Sequence, residues 1–128
     1  MGKVLIVEDN ELNLKLFYDL LTIQKYDIAI SKDGLNIVKI TIEEKPDLIL
    51  MDIQLNGISG MDLIKELKQN HATKHIPIIA ITAFAMKNDE AKISKSGCDM
   101  YISKPVSIDV FFKAVNQFVK PPYTKEQE

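Results

Sequence analysis

Leu48-Ile49-Leu50-Met51-Asp52 puts four large apolar residues in a row and then an acid. A run of this length without polar alternation is how a strand reads when helices cover both faces of a parallel sheet. Two other stretches match it. Val4-Leu5-Ile6-Val7 ends on Glu8-Asp9, and Ile78-Ile79-Ala80-Ile81 ends on Thr82. Weaker β runs occur at Ile28-Ala29-Ile30 and at Met100-Tyr101-Ile102, the second leading into Lys104-Pro105. Between the runs the apolar spacing turns helical, over about Glu11–Gln24, Gly34–Glu44, Met61–Gln69, Asn88–Ser96 and Ile108–Val119.

The alternation predicts an α/β fold with five strands and five helices. Right-handed crossovers make it a doubly wound parallel sheet of the flavodoxin-like class, with strand order 2-1-3-4-5. The 128 residues suit one domain, expected over residues 1–120, and the segment 121–128 loses apolar periodicity and reads as a flexible tail. Hydrophobic residues at 46% and charged residues at 27% are ordinary for a globular chain. A net charge of −2 gives no basic stripe for nucleic-acid phosphates, so nucleic acid is not an expected partner. No apolar stretch is long enough to span a bilayer, so no membrane association is expected either, and the single Cys98 suits a reducing compartment; the expected location is cytoplasmic.

In a doubly wound sheet the carboxyl ends of the strands share one edge, where ligands gather. Glu8, Asp9, Asp52, Thr82 and Lys104 should therefore converge. Each alone has an ordinary reading: an acid after a strand opens a turn, a strand-end hydroxyl bonds to backbone, and a lysine is solvated. Asp52 is harder to explain that way, because a carboxylate directly behind four apolar residues is partly desolvated and needs a cation or donors. Close carboxylates repel, and a hard divalent cation with oxygen ligands relieves the repulsion. Mg²⁺ suits a site with few carboxylates and an incoming phosphate. Asp9 and Asp52 would ligate it directly, Glu8 through water, and Gln54 through its backbone carbonyl. Asp52 is then a nucleophile toward phosphorus, with Thr82 and Lys104 holding the other phosphoryl oxygens.

Glu8-Asp9, Asp52, Thr82-Ala83 and Lys104-Pro105, in this order and at these separations, resemble the signature of the receiver domains of two-component response regulators. The resemblance spans about residues 3–119 and is strongest toward single-domain regulators of the cell cycle. It implies an aspartyl phosphate on Asp52, Mg²⁺ at Glu8, Asp9 and Asp52, and a cis bond between Lys104 and Pro105. The implied partners are a sensor histidine kinase or histidine phosphotransfer protein and an output protein. Implied too is a switch in which Thr82 moves toward the phosphoryl group and Tyr101 turns inward behind it. By the same resemblance the fourth helix, fifth strand and fifth helix form the output face; the broad apolar face of the first helix, with Leu12, Leu14, Leu16, Phe17, Leu20 and Leu21, is expected to meet the kinase or phosphotransfer helices, and Phe84, an aromatic two residues past Thr82, to shield the aspartyl phosphate from water.

One departure stands out. The family commonly has proline four residues after the phosphoacceptor, and this chain has Asn56-Gly57, implying a different turn or a more mobile loop. Relay of phosphate without regulatory output is an alternative. A haloacid-dehalogenase type phosphatase normally has a second aspartate two residues after the first, where Gln54 stands. A flavodoxin-like cofactor binder needs a phosphate loop where Glu8-Asp9-Asn10-Glu11 would repel phosphate. His71 and His75 lie in a polar stretch before Pro77 and read as solvated loop, and Cys98 as a packed thiol.

Overall fold

The computed structural model describes residues 2–83 and 87–120. The chain runs β1 (Lys3–Val7), α1 (Glu11–Ile23), β2 (Asp27–Ser31), α2 (Ile37–Glu44), β3 (Leu48–Asp52), α3 (Gly60–Gln69), β4 (Ile78–Thr82), α4 (Lys87–Lys95), β5 (Met100–Ser103) and α5 (Ile108–Phe118). The strands form one sheet in the order β2-β1-β3-β4-β5, and each neighbouring pair is parallel. This is the expected doubly wound layout. The three central strands are the three unbroken apolar runs, and β3 and β4 are buried along their whole length. The edge strands β2 and β5 carry the exposed and half-buried residues, which is why they read weakly in the sequence.

Side chains alternate between the two faces with the period of two that a strand imposes. Val4, Ile6, Leu48, Leu50, Ile79 and Ile81 pack with Leu14, Phe17, Leu20 and Leu21 of α1 and Phe111, Ala114 and Val115 of α5. Leu5, Val7, Ile49, Met51, Ile78 and Ala80 pack on the other face with Ile37, Leu63, Ile64, Leu67 and Ile93 of α2, α3 and α4. The Phe17 and Phe111 rings stack with centroids 5.5 Å apart and 5° between planes, joining α1 to α5.

Three readings need correction. First, α2 begins at Ile37 rather than near Gly34, because Gly34 (φ 72°) and Asn36 (φ 56°) are both in the left-handed region, which a right-handed helix cannot contain. Second, α5 buries Phe111, Ala114 and Val115 and leaves Ile108, the residue that opens its apolar run, exposed in the first turn. Third, α1 is narrower than its leucine content suggests: Leu14, Phe17, Leu20 and Leu21 are buried, while Leu12 is 80% exposed. His71 and His75 lie in the exposed turn after α3, as read. The expected tail at residues 121–128 lies outside the described residues.

Candidate functional site

Register brings the strand ends together. Val7 pairs with Met51 between β1 and β3, so Glu8 comes level with Asp52, the last residue of β3. Asp52 pairs with Ile81 of β4, one residue short of Thr82. Thr82 pairs with Ser103 of β5, one residue short of Lys104. The alignment continues past the strands, with Glu8 N donating to Ser31 O at 3.2 Å and Lys104 N to Thr82 O at 2.7 Å. The Lys104–Pro105 peptide bond is cis.

One carboxylate oxygen each from Glu8, Asp9 and Asp52 lies within 4.8 Å of the others. Lys104 Nζ stands 3.4 Å from Asp52 Oδ2 and 3.6 Å from Glu8 Oε1. Asp52 is 3% exposed and Glu8 and Thr82 are each 1% exposed, so water does little to screen these charges. The backbone takes up part of the demand. Gln54 N donates to Asp52 Oδ1 at 2.8 Å, Asn56 N to Asp9 Oδ2 at 2.7 Å, and Asn10 N to Glu8 Oε2 at 3.3 Å. Glu8 Oε1 has no hydrogen-bond donor among the described residues.

Burial pushes the Glu8 carboxyl up to about 8, and a hydrogen bond that it donates to Asp52 and repulsion by Asp52 add to the rise, while Lys104 and the Asn10 amide oppose it. The shift favours the protonated form of Glu8. The donor set is all oxygen, acidic, gathered within one ion's reach and includes a buried oxygen, Glu8 Oε1, to which nothing among the described residues donates a hydrogen bond. These are features that a hard divalent cation of the Mg²⁺ kind fits.

Tyr101 sits on β5, partly buried against the α2–α3–α4 side of the core. Its hydroxyl is hydrogen-bonded to Glu90 of α4, and that bond is the main reason its pKa lies above the usual tyrosine value. The structure thus gathers Glu8, Asp9, Asp52, Lys104 and Gln54 at one edge with Thr82 at the end of the adjoining strand. Tyr101 stands apart, on β5 two residues before Ser103. Phe84 lies outside the described residues.

Three features had no motif to announce them. Gln54 Oε1 accepts a hydrogen bond of 3.2 Å from Ala83 N, tying the loop after β3 to the loop after β4. The Asn56 amide holds Asp9, which proline in that place could not do, and Gly57 makes the turn with φ 80°. Gly60 opens α3 so close to β3 that a Cβ would come 2.2 Å from Asp52 O.

The family described as response regulator receiver domain matches residues 4–116. The polar-differentiation response regulator DivK of Brucella anthropi is 48% identical over 116 residues, covering 91% of this chain and 94% of that protein. Among solved structures, the receiver domain of sensor histidine kinase PA1611 from Pseudomonas aeruginosa, with a magnesium ion coordinated in its active site cleft, superposes with a TM-score of 0.83 at 27% identity, covering 92% of this chain and 98% of that one. The signal receiver domain of a histidine kinase from Syntrophus aciditrophicus gives 0.85 at 26% identity, covering 97% and 96%. With the family matched along nearly the whole chain and the parallel sheet gathering its acids at one edge, this protein belongs to the response regulator receiver domains.

Proposed function

We propose that Asp52 is the phosphoacceptor of a single-domain response regulator, charged by a sensor histidine kinase or a histidine phosphotransfer protein. The observation that carries this reading is Asp52 itself: a carboxylate 3% exposed at a strand end, with an ammonium at 3.4 Å on one oxygen and an amide at 2.8 Å on the other. An Asp52 oxygen forms the bond to phosphorus as the phosphorus–nitrogen bond of the donor phosphohistidine breaks. The electron pair leaves with the imidazole, and an acyl phosphate results. Lys104 and the Thr82 hydroxyl hold the phosphoryl oxygens, the first as a point charge and the second as a directional donor. Asp9, Asp52 and the Gln54 carbonyl would hold Mg²⁺, with Glu8 acting through water. The ion, when bound, supplies positive charge against the transferring group.

Signalling then passes through surface contacts. Thr82, drawn to the phosphoryl group, leaves room beside β4. Tyr101 exchanges its Glu90 hydrogen bond for that space and changes the α4–β5–α5 face. The likeness to DivK supports a role in cell-cycle or polarity control, carried out in the cytoplasm. The test is transfer of radiolabelled phosphate from an autophosphorylated histidine kinase. Label that hydroxylamine removes, as it does from acyl phosphates, and that Asp52→Asn does not acquire is the expected result. Label stable to hydroxylamine, or retained by Asp52→Asn, would refute the assignment.

A further inference from the structure

Gln54 is bonded at both ends. Its backbone N–H donates to Asp52 Oδ1 at 2.8 Å, and its side-chain Oε1 accepts from Ala83 N at 3.2 Å, across 29 residues of sequence. The Ala83 amide thus lies one glutamine side chain away from the nucleophile, directly after the buried Thr82 at the end of β4. Ala83 itself is exposed, so water could serve this N–H without help from the protein.

We infer that the Gln54 side chain is a positioning residue that restrains phosphoryl acceptance by occupying the Ala83 amide in the resting state. The inference rests on Asp52 being the phosphoacceptor. When the Asp52 oxygen bonds to phosphorus and the donor departs with the electron pair of the broken bond, three anionic oxygens arrive beside Asp52. An anionic phosphoryl oxygen is a stronger acceptor than a neutral amide carbonyl, so Ala83 N–H exchanges Gln54 Oε1 for phosphoryl oxygen. The bond to Gln54 therefore stabilises the ground state and has to break on the way to the product. An interaction stronger in the ground state than in the transition state slows the chemical step. The exchange also unties Ala83 from the loop after β3.

The experiment compares the parent with Gln54→Met, which keeps the length but offers no oxygen, and with Gln54→Ala. Intact mass follows labelling by acetyl phosphate at saturating Mg²⁺, and two-dimensional NMR follows the Ala83 amide before any donor is added. Loss of one neutral hydrogen bond from the ground state corresponds to labelling about threefold to tenfold faster in both variants. In the resting protein, Gln54→Met should also move the Ala83 amide resonance upfield. A parent that takes label while both variants label at the parent rate or slower overturns this inference and leaves the phosphoacceptor assignment standing. An Ala83 amide unmoved by Gln54→Met overturns it without any reference to phosphate. A parent that takes no label from acetyl phosphate or from a kinase brings down both.

Discussion

Among the described residues, Glu8 is a carboxylic acid whose burial opposes its charge. Its carboxyl titrates near 4.5 when unperturbed and near 8 in the metal-free fold. Between these values the folded chain holds a proton that the unfolded chain has released, so stability is lost as pH rises through that window. Without divalent ions, the melting temperature should fall as pH rises from 4.5 to 8, and Glu8→Gln should flatten the slope. A slope unchanged in Glu8→Gln would place the cause elsewhere. Because metal and proton compete for the same acids, Mg²⁺ affinity should climb over the same window. Asn56 acts at the same scale through its backbone. Its N–H fixes Asp9 at 2.7 Å, and loss of a group that orients a ligand typically weakens metal binding by about tenfold or more. In calorimetric titrations Asn56→Pro should bind Mg²⁺ about tenfold more weakly, whereas Asn56→Ala, which keeps the N–H, should match the parent. Equal affinity in the proline variant would show that the amide does no orienting.

At the scale of elements, the joint between β3 and α3 controls the site. Gly60 N donates to Ile53 O at 3.0 Å, and the helix starts against the strand with no room for a side chain. A Cβ at residue 60 would meet Asp52 O, Ile53 Cα and Asp52 C at 2.2, 2.7 and 2.9 Å, all of them backbone atoms that cannot rotate away. Gly60→Ala should therefore cost about 2–3 kcal/mol in urea unfolding and displace Asp52 from Lys104. A cost under about 0.5 kcal/mol would mean that the joint yields. The elements differ in how plainly the sequence announced them, and the reason is physical. β1, β3 and β4 are covered on both faces and so need unbroken apolar runs, which nothing else in the chain imitates. Parallel strands then oblige Glu8, Asp52, Thr82 and Lys104 to share an edge, so their meeting is legible in the sequence itself. The start of α2 was not readable, because helical spacing continues through Asn36 although its backbone is left-handed. Nor were the Gln54–Ala83 and Asn56–Asp9 bonds, since a hydrogen bond between loops 29 or 47 residues apart leaves no periodic mark.

The described molecule is a sheet with a core on each face and Glu8, Asp9 and Asp52 together at one edge. One core, centred on the Phe17–Phe111 stack, fixes α1 and α5. The other fixes α2, α3 and α4, and it is on this second side that Tyr101 packs and reaches Glu90. A charge change at Asp52 is thus separated from the α4–β5–α5 surface by only the width of two strands. The central claim is that this edge is a metal-assisted phosphoacceptor, and the most direct test is intact-mass analysis after incubation with acetyl phosphate, with Mg²⁺ and with a chelator, for the parent and Asp52→Asn. The account predicts the mass of one phosphoryl group added to the parent in Mg²⁺ alone, and none to Asp52→Asn in either condition. Equal labelling in the chelator, or a phosphoryl group on Asp52→Asn, would contradict it.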